Sequence, residues 1–285
     1  MIGKALAACL SYQARSWKQL VRRDPMTPQE LRWESLCNFK SRAVVHLSGV
    51  NVASHRWTPS FKDEMRRSRI ETTSRLAFAL AQLQQIPEVM LVASAIGFYG
   101  SRGDQLLAEQ SDAGTGFLAE LCQEWEAAAA PAREAGIRVV HLRFGVVLGG
   151  SEGRVEGALA RLLPIFRMGL GGPIAGGSQW MSWITLHDLV RAVLFAADNP
   201  NLAGPLNVVT PIPVTNAEFT HTLATALHRP AMLPVPAFAL RVALGEMADE
   251  TLLASTRVVP QRLAEAGFRF EAPVLSVALD QMFGV

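Results

Sequence analysis

The chain has 285 residues, of which 49% are apolar and 18% are charged, and its formal net charge is +2. This composition predicts a folded chain with a large core and excludes a disordered one. The sequence contains no dense block of basic residues and no uninterrupted run of about 18 apolar residues, so we expect neither a nucleic acid nor a membrane as a partner.

Strands and helices alternate along the first 150 residues. Apolar residues at helical spacing predict a helix at 2–10, and short apolar runs predict strands at 17–21, 43–47, 89–93 and 139–149. Thr58 and Pro59 open a helix that we extend to residue 83, and a second long helix is predicted at 116–135. Such alternation is typical of βαβ units, so we predict an α/β fold with a doubly wound, Rossmann-type parallel sheet.

The regular alternation ends near residue 150, where glycine and proline become frequent. Thr215 and Glu218 form a capping box that opens a later helix. We predict a nucleotide-binding domain at 1–165 and a smaller mixed substrate or lid region at 166–285. Some elements of 166–230 are expected to return to the sheet.

Two hydroxyl groups lie at the end of the most apolar predicted strand. Ser94 and Tyr99 follow the run at 89–93, and in open α/β sheets ligands bind just beyond the carboxyl ends of the strands. We therefore name both as candidate catalytic residues. The alternative is that Ser94 caps a turn and Tyr99 packs under a loop.

Other strand ends carry residues that suit a dinucleotide. Arg22 and Arg23 end the second predicted strand, where arginine accommodates a ribose 2′-phosphate and so favours NADP(H) over NAD(H). Two solvated surface arginines are the alternative. The small residues of 47–49 and 145–147 allow close approach of a flat cofactor. Arg69 could reach a cleft, but together with Arg66 and Arg67 it fits a solvated helix face better.

Metal and serine-hydrolase chemistry find no support in the residue spacing. The six histidines are scattered, and the three cysteines, Cys9, Cys37 and Cys122, have no ligand spacing. We therefore predict no metal site, and a reducing, cytoplasmic location with free thiols. No Gly-x-Ser-x-Gly elbow occurs.

Several motifs together resemble one known family. They are Val-Val-His-Leu-Ser-Gly (44–49), Ser-Ala-x-Gly-x-Tyr-Gly (94–100), Trp125-Glu126-Ala-Ala, Arg143-x-Gly-Val-Val-Leu-Gly and Gln179-Trp-x-x-Trp183-Ile. From residue 2 to its end, the chain resembles the epimerase-family proteins among the atypical extended short-chain dehydrogenases/reductases. Some of these proteins are described as nucleoside-diphosphate-sugar epimerases.

The resemblance implies NADP(H) as the cofactor and a lid that includes 230–280. The implied cofactor-binding positions are Gly3, Arg22, Arg23, Leu47, Ser48, Glu64, Arg69 and Val147. We also name Gln179 and Trp183, which lie in a motif of the lid region, as candidate substrate contacts.

Two features depart from the family pattern. Members begin with a strand and a Gly-x-x-Gly-x-x-Gly turn, of which only Gly3 is present here. We expect the natural start to lie upstream, and the alternative is a product that binds the cofactor poorly. The superfamily's Tyr-x-x-x-Lys pair is absent as well, because the only tyrosines are Tyr12 and Tyr99 and no lysine follows Lys62. In the pair, lysine lowers the pKa of the tyrosine so that it can act as a base.

Three hypotheses follow for the function. The first is an NADP(H)-dependent oxidoreductase or epimerase-like enzyme that acts on an unidentified small molecule, nucleotide-linked compounds included. The second is a catalytically reduced NADP(H)-binding pseudoenzyme that acts as a sensor or regulator. The third is a truncated product that does not fold independently. The oligomeric state is left open.

Overall fold

The computed structural model describes residues 1–18, 41–151 and 154–284. Its helices are α1 (Ile2–Tyr12), α2 (Pro59–Arg66), α3 (Thr72–Ala81), α4 (Phe117–Ala127), α5 (Ala130–Glu134), α6 (Gly157–Arg167), α7 (Leu186–Asp198), α8 (Asn216–Ala226), α9 (Ala237–Leu244), α10 (Gln261–Glu265) and α11 (Leu275–Phe283). Its strands are β1 (Ala43–His46), β2 (Val89–Ala95), β3 (Leu106–Leu107), β4 (Arg138–Phe144), β5 (Val146–Leu148), β6 (Gly150–Ser151), β7 (Arg154–Val155), β8 (Trp180–Met181), β9 (Trp183–Thr185), β10 (Gly204–Val208), β11 (Val214–Thr215) and β12 (Arg257–Val258).

Four parallel strands form the central sheet in the order β1-β2-β4-β10. Helices α1, α7 and α10 pack on one face of the sheet, and α3, α4 and α5 pack on the other. Strand β2 is covered on both faces, which explains its unbroken apolar run. The predicted doubly wound parallel sheet is thus confirmed.

The helix predicted from Thr58 forms, with an irregular middle. The Thr58 hydroxyl accepts a hydrogen bond from the backbone amide of Phe61 and so caps α2. A π-helical turn at Arg67–Glu71 then joins α2 to α3, which ends at Ala81 rather than at residue 83. Such turns shift the helix face by one residue and are frequent at functional sites. Here the shift leaves Arg69 buried.

The predicted single helix at 116–135 is wrong, because two helices occupy this segment. Helix α4 ends at Ala127, and α5 begins at Ala130 with Pro131 in its first turn. Proline lacks a backbone donor and its ring clashes with the carbonyl four residues earlier, so it favours a helix start and disfavours a continuation of α4 through this point. Of the predicted strand at 17–21, only Trp17 and Lys18 lie within the described residues, and neither is in a strand.

The C-terminal half forms a second layer that remains tied to the sheet. Helices α6, α8 and α11 share a core with the buried Trp183 and Phe219, whereas β10 leaves this region to pair with β4. Helix α6 spans the boundary that we predict between residues 165 and 166. The division into two domains stays a prediction. No helix of the described segments is long and apolar enough to cross a membrane.

Two buried histidines flank Val92 at the same level of the sheet. His46 of β1 and His141 of β4 are both in register with Val92, and the His46 Nε2 and His141 Nδ1 atoms make no hydrogen bond. Burial lowers the pKa of His46 from 6.5 to about 4 and lowers that of His141 as well. Both imidazoles are therefore neutral in the folded chain near neutral pH.

We expect acidification to destabilise the fold through His46. Below pH 6.5 the unfolded chain binds a proton at this residue, and the folded chain does not until about pH 4. This histidine should therefore lower the free energy of unfolding by about 2 kcal/mol between pH 7 and pH 5. Urea unfolding of His46→Leu should show a flatter pH profile, and His221→Leu, a change at an exposed site, should keep the original one. Equal slopes for both variants would refute the assignment.

Candidate functional site

A row of buried polar side chains crosses the sheet at the carboxyl ends of three strands. Ser94 of β2 and Asn207 of β10 are both in register with Arg143 of β4, and all three are buried. Parallel strands place their carboxyl ends at one edge, where ligands bind in open α/β sheets. The row therefore lies directly beneath the loops that form the candidate site.

The centre of the row is a buried ion pair between Arg143 and Glu126. Two parallel hydrogen bonds of 2.8 Å join the guanidinium to both carboxylate oxygens, and the Ser94 hydroxyl donates to the same carboxylate at 2.7 Å. The guanidinium carbon also lies 3.5 Å from the centre of the Phe98 ring. Burial alone would lower the pKa of Arg143. Its hydrogen bonds to Glu126 outweigh this effect, and the arginine pKa is raised. The pair thus fixes α4 against β2 and β4.

Tyr99 is a member of the same network. Its ring is fully buried, and its hydroxyl donates to Asn207 Oδ1 at 2.7 Å and accepts from Arg143 Nη1 at 2.9 Å. Burial raises the pKa of Tyr99 despite the neighbouring guanidinium. These contacts give Tyr99 and Ser94 structural roles. The raised pKa of Tyr99 does not favour a phenolate base near neutral pH. The catalytic assignment of both residues stays a prediction.

Glu109 extends the network to the C-terminal half of the chain, at Arg262. It accepts hydrogen bonds from the backbone amides of Asn207, at 3.0 Å, and Arg262, at 3.3 Å. The Asn207 side chain donates to the carbonyl of Val259 at 3.0 Å. Burial raises the pKa of Glu109, and these amides act against the shift. The network therefore joins β10 to α10 and the segment before it.

Arg69 is a second buried cation at this edge of the sheet. It is 8% exposed and donates to the carbonyls of Val50, at 2.8 Å, and Met65, at 3.3 Å. Its guanidinium also lies 5.1 Å from the centre of the Trp125 ring. Within the described segments no carboxylate pairs with Arg69, and burial lowers its pKa. No carboxylate of the described residues therefore compensates the positive charge beneath the loop that follows β1.

The structure brings some predicted cofactor residues close to Arg69. Leu47 is half-buried and Ser48 is exposed in the loop that passes over Arg69. The next residue, Gly49, is so close that an added Cβ would lie 3.2 Å from the guanidinium carbon of Arg69. Gly49 thus brings the loop that carries Leu47 and Ser48 against Arg69.

Met1 and Val147 lie near each other at the start of α6. An added Cβ at Gly157 would be 3.8 Å from the Val147 carbonyl oxygen and 3.7 Å from Met1 Sδ. Gly3 is exposed on α1, and in the described part of the chain no atom outside its own helix lies within 4 Å of a Cβ added to it. Glu64 is exposed on α2, and no contact among the described residues joins it to Arg69 or Val147. Arg22 and Arg23 lie outside the described residues.

The two predicted substrate residues make structural contacts within the C-terminal half of the chain. Trp183 is fully buried, and its indole nitrogen donates to the carbonyl of Ile212 at 3.2 Å. The buried Gln179 amide donates to the carbonyls of Ile174 and Leu252 at 3.2 Å and 3.1 Å. Their role as substrate contacts stays a prediction.

Sequence reasoning missed Glu109, Glu126, Arg143 and Asn207 as site residues. One signal was present, because Arg143 interrupts the apolar run of β4, and a buried arginine requires an acceptor. The partner was not readable from spacing, since Glu126 lies on a helix and Asn207 on a strand far along the chain.

We expect Glu126→Gln to destabilise the fold strongly. The change leaves the Arg143 charge without its carboxylate in a buried site, which costs about 3–5 kcal/mol when one partner of such a pair is lost. Urea unfolding measures this loss. Glu120→Gln is the matched control on the same helix, since Glu120 is 62% exposed and pairs with Arg66 on the surface, and it should cost less than about 1 kcal/mol. Similar losses for both variants would mean that the pair does not organise the site.

Comparison with known proteins identifies the family of the chain. Residues 1–209 match the model of the NAD dependent epimerase/dehydratase family, and residues 235–282 match a domain of unknown function (DUF1731). The epimerase family protein ML0860 of Mycobacterium leprae is 45% identical over 98% of this chain and 92% of its own.

Two solved structures extend the likeness to the whole fold. The human epimerase family protein SDR39U1, solved with NADPH, has a TM-score of 0.90 and 33% identity, covering 100% of this chain and 96% of that one. A nucleoside-diphosphate sugar epimerase from Corynebacterium glutamicum has a TM-score of 0.78 and 33% identity, and covers 100% of this chain and 56% of its own. The chain belongs to the NAD dependent epimerase/dehydratase family, within its group of epimerase family proteins.

Proposed function

We propose that this protein binds NADP(H) at the carboxyl edge of its sheet and exchanges a hydride between the cofactor and a small-molecule substrate. The observation that carries the proposal is the buried charge of Arg69, which no carboxylate of the described residues compensates. A buried cation without a carboxylate is costly unless an anion or an electron-rich group completes its surroundings. The exposed loop above Arg69 is where such a ligand reaches it.

The residues at this edge fit a dinucleotide. Ser48 is exposed and directly precedes Gly49, the residue that approaches the Arg69 guanidinium. Arg22 and Arg23 favour a 2′-phosphate on sequence grounds. The NADPH in the human SDR39U1 structure supports the same choice of cofactor. Bound NADP(H) supplies a hydride to, or accepts one from, a carbon atom of the substrate.

The buried network holds the strand ends in place for this chemistry. Glu126 and Arg143 fix the end of β4, and Tyr99 fixes the 3₁₀ turn Ile96–Tyr99 above β2. The loops that contact a ligand therefore start from rigid positions. Such support shapes a binding site without itself transferring a proton.

A pseudoenzyme that senses or regulates through NADP(H) is the second candidate. One observation favours it: the helix that normally carries Tyr-x-x-x-Lys here presents Phe117 and Leu121, which pack in a cluster with Trp57, Phe61 and Met247. The lid carboxylate of Glu250 accepts the Leu118 amide at 3.1 Å and so caps this helix. An apolar, capped helix start offers no evident base.

We expect Arg69→Met to weaken NADPH binding by about 10- to 100-fold, because the variant loses charged hydrogen bonds to the ligand. Titration followed by nicotinamide fluorescence measures the dissociation constant. Arg67→Met is the matched control, since Arg67 is an exposed arginine on the same π-helical turn, and it should bind NADPH as the parent chain does. Thermal unfolding of both variants checks that each is folded during the titration.

A turnover assay, combined with this titration, separates the candidate functions. Loss of absorbance at 340 nm with a panel of carbonyl compounds and sugar nucleotides supports the enzyme, whereas tight NADPH binding with no turnover supports the pseudoenzyme. If the parent chain binds no NADPH, both candidates fail.

A further inference from the structure

Arg257, the first residue of β12, has no hydrogen-bonding partner for its guanidinium. The residue is half-buried, and its Nε atom is buried without an acceptor. Within the described segments no carboxylate or carbonyl accepts from its terminal nitrogens either. Arg102, which is also half-buried, donates by contrast to three backbone carbonyls. Buried polar groups of folded proteins nearly always have a partner, so the guanidinium of Arg257 lacks an acceptor that a ligand can supply.

An aromatic ring holds this guanidinium in place. The guanidinium carbon of Arg257 lies over the Trp180 ring, 4.1 Å from its centre. The indole nitrogen donates to Asp104 Oδ1 at 2.7 Å, which fixes the ring. The Trp180 carbonyl accepts from the backbone amide of Thr256 at 3.1 Å, so the segment that carries the arginine is held as well. The ring covers a face of the guanidinium, and the N–H groups, which lie in the plane of the group, stay available for hydrogen bonds.

The surroundings of Arg257 carry an excess of positive charge. The segments 100–106 and 255–258, which a side-chain hydrogen bond of 3.1 Å joins, contain two arginines and one aspartate. The aspartate, Asp104, accepts from the Trp180 indole. Among the described residues neither Asp104 nor any other carboxylate forms an ion pair with Arg257. An anion that reaches this arginine therefore displaces no carboxylate of the described chain.

We infer that Arg257 and Trp180 form a binding site for the oxyanion of a small molecule, a carboxylate or a phosphate. Both groups accept two parallel hydrogen bonds from the fork of a guanidinium. The positive charge favours them over a neutral amide of the same shape. Arg69 and Arg257 have different neighbours, the Trp125 and Trp180 rings. The inference therefore goes beyond the proposed function and does not depend on NADP(H) binding.

Titration with acetate, inorganic phosphate and acetamide tests the inference, with the ¹⁵N NMR signals of the Arg257 side chain and of the 255–258 amides as the readout. Acetate, phosphate or both should give saturable shifts. A response to one anion alone identifies the chemical class of the ligand. Acetamide has the shape of acetate without its charge, so it should give no saturable shift.

Arg257→Met should weaken binding of the effective anion by about tenfold or more, because it removes charged hydrogen bonds. Arg269→Met is the matched control, since Arg269 is an exposed arginine in the same half of the chain, and it should bind the anion as the parent chain does. Arg69→Met should also keep the response. Thermal unfolding checks that each variant is folded.

Arg257→Lys takes the place of Arg257→Met if the latter does not fold. Lysine keeps the charge but lacks the planar fork, so binding should still weaken, and Arg269→Lys is then the control.

Four results would overturn the inference. They are the absence of a saturable shift with either anion, binding of acetamide as tight as that of the anions, equal binding by the Arg257 variant and its control, and a loss in Arg69→Met as large as that in the Arg257 variant. The last result would place the anion at the candidate cofactor site instead. The NADPH titration is read separately, because loss of NADPH binding alone leaves this site unaffected.

Discussion

The ion pair between Arg143 and Glu126 is the constraint on which the rest of the site depends. A guanidinium placed in the middle strands of a buried sheet must have an acceptor, and the carboxylate that satisfies it comes from α4 with bidentate geometry. The same arginine holds the Tyr99 hydroxyl, which in turn holds Asn207 of β10. One charge pair therefore sets the relative positions of a helix, three strands and the turn above them.

The two buried arginines at this edge of the sheet have different partners, and we therefore assign them different roles. Arg143 is satisfied within the chain, so its surroundings are complete without a ligand. Arg69 has backbone carbonyls and the Trp125 ring as neighbours but no carboxylate among the described residues. Its charge is available to a molecule bound over the loop after β1, and membership of the NAD dependent epimerase/dehydratase family is consistent with a dinucleotide there.

Local patterns in the sequence were sufficient for the fold and for part of the site. The apolar run of β2 and the cap at Thr58 predict a strand and a helix, because these signals depend on neighbouring residues alone. The break before Pro131 also has a local signal, but we predict one continuous helix there. Ser94 and Tyr99 were found as strand-end residues, but their tasks depend on Glu126 and Asn207, which the fold brings from 32 and 108 positions away. Burial of Arg69 likewise follows from a π-helical turn that no spacing rule predicts. Long-range pairing of polar groups is therefore what sequence reasoning could not supply.

Hydrogen–deuterium exchange with and without saturating NADPH is the most direct test of where the cofactor binds. We expect NADPH to slow amide exchange at 47–50, 96–99 and 145–147, the segments that follow β1, β2 and β4, because ligand binding stabilises the segments it contacts. We expect no change on the outer surface of α8. Protection that spares these three segments, or that is confined to another part of the chain, would contradict the placement of the cofactor at the carboxyl edge of the sheet.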